Sequence, residues 1–384
     1  MTLDALANDA VRRQDVPFTV VMLGNSDGVT ETAAAGDAAP GRAADAETAY
    51  RIFSMTKLVG SLAAMILIER GKLSMETEVA SILPKWDDLE VLDGWDGDTP
   101  RLRKPTTAAT IRHLATHRSG LEYEFWNPDM ARYLAVTGAP SILTGTRAAM
   151  NYPLMFDPGT RWGYGISIDW LGLVVEAVDG RRMDAFCQEE IFAPLGMNET
   201  AFEPTNLIDR LAEPRIRVED GSFQPHDIAP PPQPEIYGMG HCLYSTAPDY
   251  MRLLRMLLRG GELDGARLLS EASMDAFFAD QMEGKPFERM ISVAPPLSAD
   301  VETLPGGAGH GFGGLRNVTD IEGRRRAGTL SWAGVLNTHW WADRQADLCG
   351  VVMTQSLPFA EPRYMAFYEA VERHAYVAHA ERAA

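Results

Sequence analysis

The stretch Tyr50-Arg51-Ile52-Phe53-Ser54-Met55-Thr56-Lys57-Leu58-Val59-Gly60-Ser61-Leu62-Ala63-Ala64-Met65-Ile66-Leu67-Ile68 changes character at Ser54. Before it, Tyr50-Arg51-Ile52-Phe53 has the aromatic and β-branched content of a short strand. After it, residues 54–70 read as an apolar helix closed by Gly71 at a C-cap position. Lys57 is the single charge between Ser54 and Ile68. A serine and a lysine three apart share one helix face, about one turn from each other. A buried lysine gives up its proton more readily, because desolvation disfavours the charged form. A neutral amine there can take the serine proton and create a nucleophile. The helix N-terminus adds free backbone N–H groups and partial positive charge for a developing oxyanion. The competing reading is an N-cap serine followed by a surface lysine. The strand before and the apolar helix after favour the nucleophile.

Working toward the N-terminus, residues 2–14 read as a helix with Leu3, Leu6 and Val11 on one side, and residues 17–23 as a strand. Asn25-Ser26-Asp27-Gly28 is turn chemistry, and residues 29–35 read as the returning strand of a hairpin. Gly24-Asn25-Ser26-Asp27-Gly28 also matches the GxSxG nucleophile elbow. That elbow needs a helix after the serine, whereas a strand follows here, so Ser26 is read as a turn residue.

Working toward the C-terminus, residues 84–234 show helical segments at 111–117, 168–178 and 183–193, separated by long loops rich in Pro, Gly, Asp and Trp. Ala229-Pro230-Pro231-Pro232-Gln233-Pro234 fits neither a helix interior nor a central strand. Then come a helix at 246–259 with Thr246 as N-cap, strand-like runs at 311–318, 328–336 and 348–355, and a closing helix at 361–380. Strands at both ends and helices between predict an α+β fold. One antiparallel sheet is built from 1–83 and 235–384 and flanked by helices. Residues 84–234 form a mostly helical inserted domain.

Two further segments carry candidate chemistry. In Arg161-Trp162-Gly163-Tyr164-Gly165, a tyrosine between glycines sits on an exposed, tightly turning backbone, or else packs as a core aromatic. In Gly328-Thr329-Leu330-Ser331-Trp332-Ala333-Gly334-Val335-Leu336, small residues around a tryptophan let a ligand approach the backbone, or mark an edge bulge. His310 and His339 flank this segment and could line a pocket. His113 and His117 have the spacing of a metal helix, but Leu114 stands where HExxH needs glutamate, which favours a structural role. The aromatics Trp86, Trp95, Tyr123, Phe125 and Trp126 of the insertion read equally as pocket or core.

Composition narrows the classes. The 384 residues carry 53 acidic and 35 basic side chains, a formal charge of −18, which argues against nucleic acid and anionic membranes as partners. The three cysteines, Cys187, Cys242 and Cys349, form no CxxC pair and read as buried thiols of a reducing compartment. The N-terminus lacks a basic n-region, and the longest apolar run, 58–68, is too short to span a bilayer. A soluble cytoplasmic protein with no metal and no cofactor is expected.

Together these residues resemble the serine β-lactamase and penicillin-binding protein superfamily, most closely the β-lactamase-like carboxylesterases of family VIII. Ser54-Met55-Thr56-Lys57 matches the SxxK motif. Thr116-His117-Arg118-Ser119-Gly120-Leu121 is similar to a THTSGL signature, Arg118 departing. Asp157-Pro158-Gly159 before Trp162-Gly163-Tyr164 matches the lead-in to the catalytic tyrosine. Gly238-Met239-Gly240, then Leu243-Tyr244-Ser245-Thr246-Ala247-Pro248-Asp249-Tyr250, is similar to GGGLYSTAxDY, with His241-Cys242 departing. Gly309-His310-Gly311-Phe312-Gly313-Gly314 and Ser331-Trp332-Ala333-Gly334 resemble C-terminal blocks of the esterases.

The resemblance implies Ser54 as nucleophile, Lys57 as its proton acceptor or hydrogen-bond partner, and Tyr164 as second base. It implies backbone N–H groups of Ser54 and Val335 as the oxyanion hole, each donor worth about 3–4 kcal/mol. Phe125, Trp332, Gly334 and His339 are the further substrate-binding candidates. Two departures bear on the substrate. Tyr164-Gly165-Ile166 replaces Tyr-x-Asn, and Trp332-Ala333-Gly334 replaces Lys-Thr-Gly, so the amide and the cation that hold a lactam antibiotic are missing. A carboxylesterase acting on small, uncharged esters is therefore expected. An amidase, a D-amino-acid peptidase, a β-lactamase, an acyltransferase and an inert homologue are the alternatives.

Overall fold

The hairpin expected at Asn25-Ser26-Asp27-Gly28 is present in the computed structural model, which describes residues 1–383. Strands Phe18–Gly24 and Val29–Ala39 pair antiparallel, with Val21 opposite Ala33. The Asn25 N–H donates to the Gly28 carbonyl at 2.9 Å, and Asn25 Oδ1 accepts from the Asp27 and Gly28 N–H groups at 3.0 Å. Phe18–Gly24 pairs on its other edge with Leu348–Met353, so the two ends of the chain meet at the sheet centre. The sheet continues through Thr338–Asp343, Leu330–Gly334, Leu315–Asn317 and Ala308–His310, and ends at its opposite edge with Arg42–Ala43. All eight strands are antiparallel.

Side-chain alternation along the central strand sorts the two covering layers. Val21 and Leu23 pack toward helices Leu3–Arg12 and Pro362–Ala383. Val20 and Met22 pack toward helices Thr56–Glu69 and Ala247–Leu258. Thr56 to Leu67 is buried on every side, which is why its sequence shows no polar face.

The run expected at 311–318 is a hairpin of Ala308–His310 and Leu315–Asn317, because Gly311–Gly314 turn the chain between them, and four more features differ from the sequence expectation. The strand Thr338–Asp343 went unread, because both its faces are buried and no polar alternation marks it. The strand expected at Tyr50–Phe53 is Ala49–Arg51, paired with Tyr244–Thr246 outside the main sheet. Ser54 does not begin the long helix: it lies in a 3-10 turn, Phe53–Met55, ahead of Thr56–Glu69. Finally, residues 84–234 contain two hairpins besides helices such as Pro128–Thr137 and Ser167–Asp179. One joins Val91–Asp96 to Thr99–Arg103, and the other joins Arg215–Arg217 to Phe223–Pro225. No helix among the described residues is long and apolar enough to cross a membrane.

Candidate active site

The turn that presents Ser54 is strained. Phe53 has φ +42°, a left-handed value uncommon for a bulky residue. Strand Leu330–Gly334 braces this turn from the side. A Cβ on Gly334 would collide with the Ile52 carbonyl oxygen and Thr338 Oγ1, so only glycine lets the strand end come so close. This places Val335 beside the nucleophile turn, and both Val335 and Ser54 line one cavity.

Three expected site residues converge. Lys57 Nζ lies 3.0 Å from Ser54 Oγ, and Tyr164 OH lies 2.7 Å from the same oxygen. Lys57 is buried; its Nζ also donates to the Gly240 carbonyl at 2.8 Å and to Tyr123 OH at 3.1 Å. It sits 4.8 Å from the Tyr164 ring centre and 5.3 Å from that of Tyr123. Its partners are thus hydroxyl and carbonyl oxygens, not a carboxylate.

The Gly-Tyr-Gly segment is not exposed, as expected from its glycines, but buried. Its glycines serve close approach. A Cβ on Gly165 would lie 2.5 Å from Glu122 Cα and would also collide with the Leu121 carbonyl, while one on Gly163 would collide with the Glu122 carboxylate. The Tyr123 N–H donates to the Tyr164 carbonyl and the Gly163 N–H to the His117 carbonyl, both at 2.9 Å. Gly165→Ala is therefore expected to destabilise the protein by about 2–3 kcal/mol and to cut activity more than stability explains, because it pushes Tyr164 off Ser54. Thermal unfolding and kcat measured side by side check this.

Tyr123 is the site residue that sequence reasoning underrated. Its position just past Thr116–Leu121 was the available signal; its hydrogen bond to Lys57 spans 66 positions and left no local trace. Burial, and next the Asp169 carboxylate, push the Tyr123 phenol well above its ordinary range, so it stays a neutral O–H group. Asp169 also accepts the Gly240 N–H at 2.9 Å, which anchors the backbone of the residue whose carbonyl receives Lys57. His241 lies 3.6 Å from Asp169 with both ring nitrogens unpartnered, and burial holds it below its usual range.

The cavity at Ser54 measures about 230 Å³. Phe125, Trp332, Val335 and His339 line it as expected; Gly334 does not, acting instead as the brace described above. Among the insertion aromatics, Tyr123, Phe125 and Trp126 are pocket. Trp86 packs edge-on to Trp170 in the core, and Trp95 stacks under Arg132. Phe287 and Met290 enter from residues 284–306, a strap tied to both flanks. The Val293 N–H donates to the Phe125 carbonyl at 3.0 Å, and the Ala299 N–H to the Phe359 carbonyl at 2.9 Å.

Ser26 is elsewhere: its Oγ donates to Asp347 at 2.8 Å within the hairpin turn. His113 Nδ1 accepts the Thr110 N–H at 3.3 Å, closing a helix cap. His117 packs 4.9 Å from the Tyr164 ring and 5.7 Å from His310. Burial holds His117 well below its usual range, His310 at about 4 and His339 at about 3. Each is neutral when folded and takes up a proton on unfolding below about pH 6.5. Because the unfolded chain then binds more protons, stability should fall as the pH drops from about 6.5 toward 4. Urea midpoints across that range check the sign.

The family described as Beta-lactamase matches residues 3–374. The chain belongs to that family. It is 33% identical over 341 residues to a lovastatin esterase of Penicillium rubens, covering 84% of this chain and 83% of that one. It is 30% identical over 340 residues to a monacolin J acid methylbutanoyltransferase of Aspergillus terreus, covering 82% and 79%. Among solved structures, a mutant simvastatin synthase (LovD) of Aspergillus terreus superposes with a TM-score of 0.84 at 28% identity over 99% of both chains. The protein is a serine hydrolase or acyltransferase of the beta-lactamase superfamily.

Proposed function

We propose that the protein is a carboxylesterase that forms an acyl-enzyme on Ser54 and cleaves small esters with no charge beside the scissile bond. The observation that carries this reading is Ser54 Oγ held between Lys57 Nζ at 3.0 Å and Tyr164 OH at 2.7 Å on the wall of a mainly apolar cavity. Lys57 and Tyr164 together take the Ser54 proton as Oγ attacks the ester carbonyl. The Ser54 and Val335 N–H groups receive the oxyanion. On collapse the alcohol leaves with the proton, through Tyr164. Water then enters, gives its proton to the same pair, and releases the acid and free Ser54. Trp332 in place of a cation gives a lactam carboxylate no partner beside the nucleophile.

Transfer of the acyl group to an alcohol is the second reading, supported by the transferase among the relatives at 30% identity. It needs the same first half-reaction and differs only in the acceptor. Parallel assays with p-nitrophenyl butyrate, nitrocefin and a D-alanyl anilide, with and without an added alcohol, separate the readings. The butyrate ester should be turned over fastest, with butyrate as product. Appearance of the alkyl butyrate in its place would establish transfer. Nitrocefin or anilide turnover matching the ester would overturn the esterase assignment.

A further inference from the structure

Helix Ser167–Asp179 starts shortly after Tyr164 and carries Asp169 in its first turn. Between it and Thr56–Glu69, the helix of Lys57, lies the segment Gly238-Met239-Gly240. The Met239 side chain fills a notch between them. A Cβ on Gly60 would lie 2.9 Å from Met239 Cβ, and one on Gly172 would lie 2.8 Å from Met239 Cγ. The two glycines of the segment wrap the Asp169 carboxylate. A Cβ on Gly238 would lie 2.5 Å from Asp169 Oδ1, and one on Gly240 would lie 2.6 Å from Asp169 Oδ2.

Glycine is the residue least able to hold one backbone conformation by itself. The Gly240 carbonyl is nevertheless aimed at Lys57 Nζ, 2.8 Å away. The peptides on both sides of Gly240 Cα are tied. The one that carries its carbonyl donates the His241 N–H to the Gly238 carbonyl at 3.2 Å, and the Cys242 N–H reaches the same oxygen at 3.1 Å. The other donates the Gly240 N–H to Asp169 Oδ1 at 2.9 Å, the one tie made by a side chain.

A buried carboxylate is costly unless it is paired. Glu372, with a side chain 0% exposed, lies between the guanidinium groups of Arg324 and Arg325. The Asp169 side chain is also 0% exposed, but no guanidinium or ammonium pairs with it among the described residues. His241 Nδ1, 3.6 Å away, makes no hydrogen bond to it, and burial holds that ring below its usual range. Asp169 Oδ2 has no hydrogen-bond partner. Among the described residues, the Gly240 N–H is thus the one donor the carboxylate receives. A group so costly, spent on one backbone N–H next to the base, marks that N–H as its purpose.

We propose that Asp169 is a positioning residue for acylation: by holding the Gly240 backbone it aims Lys57 Nζ at Ser54 Oγ. The start of one helix then sets both partners of the nucleophile, Tyr164 directly and Lys57 through Gly240. This rests on the Ser54 reading and adds the element that aligns its base.

The test measures second-order rates of Ser54 labelling by an alkyl fluorophosphonate, read by mass spectrometry, with thermal unfolding as the check on folding. Asp169→Ala should label about 10²-fold more slowly than the unmutated protein. Asp169→Asn has the same shape and still offers an oxygen to the Gly240 N–H, so it should label at least about tenfold faster than Asp169→Ala. Asp169→Cys, close to aspartate in volume but without that oxygen, replaces Asp169→Ala if the latter does not fold. A residue that acts through Lys57 has nothing left to aim once Lys57 is gone. Added to Lys57→Ala, Asp169→Ala should therefore cost less than about twofold, whereas added to Tyr164→Phe it should keep its full cost. A merely structural role would slow both backgrounds alike. The proposal is overturned if Asp169→Asn is no faster than Asp169→Ala, or if the full loss persists in Lys57→Ala. Failure to label Ser54 in the unmutated protein would sink the Ser54 reading itself, and is seen before any Asp169 variant is compared.

Discussion

Tyr164→Phe is expected to lower kcat for a p-nitrophenyl ester by about 10²–10⁴-fold while leaving the fold intact. The phenol oxygen lies 2.7 Å from Ser54 Oγ, and among the described residues Lys57 is the other side chain hydrogen-bonded to that atom. Removing it deletes one proton carrier in both half-reactions. The ring itself stays packed against His117, Tyr123 and Trp332, so little stability is lost. Tyr123→Phe is the internal control. Tyr123 reaches Lys57 but not Ser54, and its phenol is held neutral, so its loss should cost far less, about tenfold. Equal losses in the two variants would contradict the division of roles. Steady-state kinetics at saturating ester, with thermal unfolding as the check on folding, decide between them.

Glu372→Gln is expected to destabilise the protein by about 3–5 kcal/mol. The Glu372 side chain is 0% exposed, and those of Arg324 and Arg325 are 5% and 4% exposed. Glu369, the remaining partner of Arg324 at 3.1 Å, is 42% exposed and screened by solvent. Neutralising Glu372 leaves two buried guanidinium groups against one another with no buried anion between them. The loss should appear in the urea midpoint with an unchanged m-value. A shift below about 1 kcal/mol would mean that the two arginines find other acceptors.

How far the sequence alone carried the account differs from element to element. Ser54 and Lys57 were legible because they lie three positions apart in one chain segment, and the surrounding apolar run argued against a surface helix. The turn at Asn25-Ser26-Asp27-Gly28 was legible because its hydrogen bonds are local, closing through Asn25 itself. Thr338–Asp343 was not, since a strand buried on both faces loses the period of two that marks strands. Tyr164 was found, but its glycines were misread as turn residues: Gly165 accommodates the backbone of Leu121 and Glu122 and Gly163 the Glu122 side chain, both tertiary contacts. Tyr123, Asp169 and Arg325 escaped for the same reason. Each acts on a partner far away in the chain, Lys57, Gly240 and Glu372 respectively. Residues 284–306 carry no motif at all, and only their bonds to Phe125 and Phe359 make them a wall of the cavity.

The acyl-enzyme is the centre of the account, and one measurement reaches it directly. The protein is mixed with p-nitrophenyl butyrate, quenched in acid within the first turnover, digested and mapped by mass spectrometry. A single butyryl group on Ser54, absent from Ser54→Ala together with all ester turnover, is the predicted result. A butyryl group on Ser26 or any other residue, or full turnover by Ser54→Ala, would contradict it.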